Sequence, residues 1–148
     1  MRKNLELRSG SCAVAAACVL LLAPVLVSGE EAAFRVTLSG PQASGDPDGR
    51  GEATVTLYPE ENRAEVRLDY SNIAPPTAMH LREGPTGLVG NVVLPFVIER
   101  DDGGSLTAAR TSAKPGIVET ILASPGKYYL VVINEEYPVG ALRGQLRE

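Results

Sequence analysis

The sequence predicts an all-β domain, a sandwich or a barrel, from three observations. Apolar and polar residues alternate with period two along most of the chain, and turn residues break the alternation about every eight to twelve positions. The composition of 15 Gly, 11 Pro, no Trp and 2 Phe in 148 residues favours many turns and a core of small aliphatic side chains. That length suits one domain. Hydrophobic residues at 44% and charged residues at 22% exclude a disordered polymer and a multi-span membrane protein.

Arg2, Lys3 and Arg8 precede an uncharged apolar run over residues 13–27, the pattern of a secretory signal. As a helix the run extends roughly 22 Å, short of the roughly 30 Å hydrocarbon core of a bilayer, and Pro24 shortens it further. Val27 and Gly29 supply the small residues of a cleavage site, so residues 1–29 are read as a signal peptide and residues 30–148 as the domain. This places the mature chain outside the cytoplasm, secreted or periplasmic. An uncleaved signal acting as an anchor is the alternative, and the only membrane contact expected.

Cleavage removes Arg2, Lys3, Arg8 and Glu6 from 14 basic and 18 acidic residues, leaving 11 basic and 17 acidic and a formal charge of about −6. With no Lys/Arg cluster to neutralise phosphates, nucleic-acid binding is excluded. Both cysteines, Cys12 and Cys18, fall in the signal. The mature domain therefore relies on packing rather than disulfides.

The strands follow in order. Residues 33–39 alternate Phe34, Val36 and Leu38 against Arg35 and Thr37, and residues 40–51, rich in Gly, Pro, Ser and Asp, read as a loop. Ala53, Val55 and Leu57 alternate with Thr54, Thr56 and Tyr58. After the turn Pro59-Glu60-Glu61-Asn62, residues Ala64, Val66, Leu68 and Tyr70 alternate with Arg63, Glu65, Arg67 and Asp69, which completes a hairpin. Strands over 78–83 and 91–98 flank Gly84-Pro85-Thr86-Gly87, and Asp101-Asp102-Gly103-Gly104 turns into a strand over 105–110. Ile117, Ile121 and Leu122 have helical spacing and predict a short helix over 117–123. Residues 127–133 are apolar on both faces, as a central strand requires, and residues 141–146 form the last strand.

FRVTLSG at 34–40, GEATVTL at 51–57, TAMHLREGPTGLVGNVV at 77–93 and YYLVVINEEYPVGALRGQL at 128–146 together resemble the CHRD domain. The Tyr-Pro-x-Gly-x-x-Arg-Gly-Gln-Leu element over 137–146 is the most specific part. The resemblance implies a Greek-key antiparallel β-sandwich of about eight strands, with some likeness to copper/zinc superoxide dismutase. The domain is named after chordin, an extracellular antagonist that sequesters growth-factor ligands, and the chain resembles the bacterial-type exported single-domain members. Relatives commonly carry His-x-His-x-Gly in the middle and Tyr-x-Asn-x-His-Thr near the end. This chain keeps His80 but has Arg82 at the second histidine, Val131, Ile133 and Asn134 at the later element, and Ala141 where an acidic residue often precedes the Ile-Arg-Gly-Gln ending.

A transition-metal site takes three or four N, S or carboxylate ligands, and the mature chain offers one imidazole and no thiol. No metal or cofactor is expected. The carboxylates over 46–52 fall short of a helix-flanked calcium loop and read as a solvated connection. No nucleophile motif or phosphate loop occurs, and the adjacent pairs Glu60-Glu61 and Glu135-Glu136 point to opposite faces of any strand. No catalytic residue is assigned.

The candidate binding residues are His80 and Arg82, two apart on one strand face, Tyr137 in the loop over 134–140, and Arg143. Each also has a structural reading; for Arg143 it is pairing with a cross-strand carboxylate such as Glu65 or Asp69. The expected protein is an exported, non-catalytic binding module whose partner is an unknown protein or envelope ligand. The alternatives are a superoxide-dismutase-like metal-binding redox protein and an envelope-anchored structural protein.

Overall fold

The computed structural model describes residues 31–112 and 114–147. The expected signal segment and both cysteines lie outside the described residues. Eight antiparallel strands form the domain: β1 (Ala32–Ser39), β2 (Arg50–Tyr58), β3 (Arg63–Ser71), β4 (Ala78–Glu83), β5 (Val92–Asp101), β6 (Ser105–Thr111), β7 (Tyr128–Ile133) and β8 (Leu142–Gln145). A one-turn helix α1 (Gly40–Ala43) follows β1, and α2 (Ile117–Ala123) leads through a 3-10 turn at Pro125–Lys127 into β7.

The order around the structure is β1-β2-β3-β6-β5-β4-β7-β8, and it closes on itself. The β3–β4 and β6–β7 connections each skip two strands, at opposite ends, which is Greek-key winding. The fold is therefore a closed barrel and not the expected sandwich. The reason lies at the short strand β8, which pairs with β7 from Tyr129–Gln145 to Val132–Leu142 and meets β1 at Ser39 and Arg143. Gly144 allows the approach. A Cβ there would lie 2.5 Å from the Thr37 carbonyl oxygen and 2.6 Å from Val36 Cγ1, so only a residue without a side chain lets β8 lie against β1.

The alternation read from the sequence fills the interior. In β3, Ala64, Val66 and Leu68 are buried while Arg67 and Asp69 face water. Together with Val55, Leu57, Leu81, Leu106, Leu130 and Leu142 they belong to one core. The amphipathic helix α2 plugs one end with Ile117, Val118 and Ile121. Asn62 fixes that plug: in the left-handed conformation (φ 49°) it donates through Nδ2 to the carbonyls of Ser112 and Lys114, at 2.9 and 2.7 Å. In the segment read as a loop, Pro41 instead sits in the first turn of α1, which its fixed φ suits.

Candidate functional site

The site lies on the outer wall of β4, β7 and β8. Inward residues of β4 are Met79 and Leu81, so the pleat turns His80 and Arg82 outward. Arg82 pairs with Tyr129 and His80 with Val131 across β4–β7; Tyr129 and Val131 in turn pair with Gln145 and Arg143 across β7–β8. The hydrogen-bonding order therefore brings His80, Arg82 and Arg143 onto one patch of wall. Tyr129, Val131 and Ile133 point outward yet are buried, with Ala78 packed against them. The apolar character of β7 on both faces has this cause.

Two loops cover them. The loop over 84–91 leaves the α2 end of the barrel and folds back along the wall. Arg143 holds it, donating from Nη1 to the Leu88 carbonyl at 2.6 Å and from Nη2 to the Pro85 carbonyl at 2.7 Å. Its guanidinium stacks on the Tyr129 ring, 3.4 Å from the ring centre. The Tyr129 hydroxyl accepts from Gly90 N at 2.9 Å, and Gln145 Nε2 donates to the carbonyls of Gly84 and Gly126. At Gly90 an added Cβ would collide with the Glu83 carbonyl, so glycine is required for the chain to turn back here. The loop over 134–140 arrives from the opposite end. Asn134, almost wholly buried, donates to the Ala74 carbonyl at 3.2 Å and accepts from Tyr137 N at 2.8 Å.

The two loops meet over Val131. Val89 from one and Val139 from the other line a hollow of about 20 Å³ with Arg82, Tyr129, Val131, Arg143 and Ala43 of α1. A wider depression beside it shares Ala43 and Val139 and contains Tyr137 and Glu136. Of the four residues singled out from the sequence, Arg82 and Arg143 thus share one hollow, Tyr137 lines its neighbour, and His80 stands next to Val131 on the same wall. The expected cross-strand carboxylate partner of Arg143 is corrected: its guanidinium binds two carbonyls and a ring face, while Glu65 takes Arg63. Sequence reasoning misses Tyr129 and the strap over 84–90, although a tyrosine amid the apolar run 128–133 is the available signal.

The site is cationic. Burial, opposed by Tyr129 and reinforced by the Arg82 charge, lowers the Arg143 pKa from its usual value. Burial and then the Arg82 charge depress the His80 pKa. Arg82 Nε and His80 Nδ1 are buried without a hydrogen-bond partner among the described residues. The same residues include no cluster of three or more His, Cys, Asp or Glu side chains suited to hold a metal.

The His80 shift has a measurable consequence. Its folded-state pKa lies below the ordinary histidine value of 6.5, so as pH falls the unfolded chain takes up the proton first. The stability from a neutral His80 is complete above the unfolded value and is lost as pH falls toward the folded one. Melting temperatures recorded between about pH 7.5 and 5 are expected to fall more steeply for the parent than for His80→Gln. Parallel curves refute the assignment.

An eight-stranded Greek-key barrel with its polar cluster on a loop-covered wall defines a small all-β domain. Residues 34–146 match the CHRD domain, and the chain belongs to that family. No curated protein and no solved structure matches it.

Proposed function

We propose that this CHRD domain is an exported, non-catalytic binding module that takes its partner on the wall of β4, β7 and β8. One observation carries the reading. The exposed large apolar side chains among the described residues, Leu88, Val89, Val92, Val97 and Val139, all lie on or beside this wall. Val92 pairs with Arg82, Val97 lies two residues beyond Pro95, the partner of His80, and Val89 and Val139 rim the hollow. Apolar side chains gathered around a cationic centre are the composition of a contact surface and cost solubility elsewhere. Tyr137, half-buried beside the rim, adds contact area at low entropic cost. Among the described residues no acidic side chain orients His80 as a base: its cross-strand neighbours are Pro95 and Val131.

The test is capture from the native cell envelope with the mature chain as bait. A partner recovered by the parent is expected to be lost with Val89→Asp/Val139→Asp and strongly reduced with Tyr137→Ala, with melting temperatures unchanged. Equal recovery by all three overturns the face. An N-terminus near Glu30 by mass spectrometry tests the export reading; an intact N-terminus on the exported protein favours an anchored form.

A further inference from the structure

We propose that Arg82 is the receptor for a carboxylate, presented by an acidic residue flanked by apolar ones on a protein partner. This inference rests on the binding face described above and gives it a chemistry. Arg82 makes no hydrogen bond or ion pair with the described residues, and its Nε is buried without an acceptor. A second guanidinium, Arg143, stands in the same hollow and is close enough for the Arg82 charge to act on it. Two neighbouring cations without a counter-ion form a site that an anion stabilises.

The surrounding elements supply no such anion. From β5, Val92 and Pro95 face Arg82 and His80; from β7, Tyr129 and Val131; from β8, Arg143, already committed to two carbonyls. Glu83 acts on Tyr128 of the core instead, and Glu136 lines the neighbouring depression with Tyr137. The hollow is small: about 20 Å³ admits roughly one water-sized group, room for an oxygen at the end of a carboxylate side chain. The apolar rim of Val89 and Val139 then meets the residues on either side of that carboxylate.

The experiment follows the Arg82 Nε–H resonance by NMR in the mature chain. The probes are acetyl-Val-Glu-Val-amide, the same peptide with Gln for Glu, and inorganic phosphate. The Glu peptide is expected to shift the resonance saturably and to bind roughly tenfold more tightly than the Gln peptide. Phosphate is expected to be the weaker anion, and in Arg82→Gln, which lacks that resonance, the Glu peptide is expected to leave unshifted the backbone amides of Val89, Val131 and Val139 that it shifts in the parent, with the parent's melting temperature kept. Equal binding of Glu and Gln peptides overturns the carboxylate site but leaves the apolar face standing. Binding of phosphate as tight as that of the Glu peptide, or no response to any probe, also overturns the inference.

Discussion

Gly144→Val will prevent the barrel from closing and lower the unfolding free energy by about 3 kcal/mol or more. The added Cβ alone would lie 2.5 Å from the Thr37 carbonyl oxygen and 2.6 Å from Val36 Cγ1, with Leu38 Cγ at 3.1 Å. The first of these is backbone held in the β1–β2 ladder, where Thr37 pairs with Glu52, so it cannot rotate aside. Relief therefore requires β8 to leave β1 or β1 to leave β2. Urea denaturation measures the loss, and hydrogen exchange locates it, with amides of β8 and the end of β1 exchanging first. Gly144→Ala carries the same first clash with less bulk and is expected to be the milder variant. A Gly144→Val protein as stable as the parent refutes closure by glycine contact between β8 and β1.

Arg143→Ala has the second largest expected effect. The residue is 4% exposed. It contributes two charge-assisted hydrogen bonds to Pro85 and Leu88 and a stacking contact with Tyr129. Losing these lowers stability by about 3 kcal/mol. The loss is also local: the strap over 84–90 loses its main tether, so Gly90 N, bonded to the Tyr129 hydroxyl, is expected to exchange faster than amides of the β2–β3 hairpin. Arg143→Lys rescues little, because an ammonium cannot serve two carbonyls as a planar fork while lying flat on a ring. Full stability in Arg143→Lys shows that charge alone suffices and the stacked geometry is incidental.

Much of the strand pattern is legible in the sequence because burial has period two wherever one face of a sheet meets a core. The alternation in β2 and β3 reads directly, and the spacing of Ile117 and Ile121 correctly marks α2. Closure is not legible. It depends on Gly144 approaching β1 about a hundred residues earlier in the chain, and a glycine within Leu-Arg-Gly-Gln-Leu carries no sign of what it touches. The partners of Arg143 are hidden for a related reason. A search for its counter-charge looks to carboxylates such as Glu65 and Asp69, whereas the real acceptors are backbone carbonyls, which every residue has. The grouping of His80, Arg82 and Arg143 requires β4, β7 and β8 to be neighbours, and that order comes from Greek-key crossovers rather than from local pattern.

Arg143 belongs to two structures at once: its backbone meets Ser39 where the ring shuts, and its side chain ties down the strap beside the hollow. Any guest that tightens the strap therefore also braces the seam, and occupancy translates into resistance to heat. A ligand at a hundred times its dissociation constant adds about 2.7 kcal/mol to the native state. Libraries of uncharacterised compounds or envelope fractions can thus be screened on this domain by dye-reported melting, with Arg82→Gln as the counter-screen.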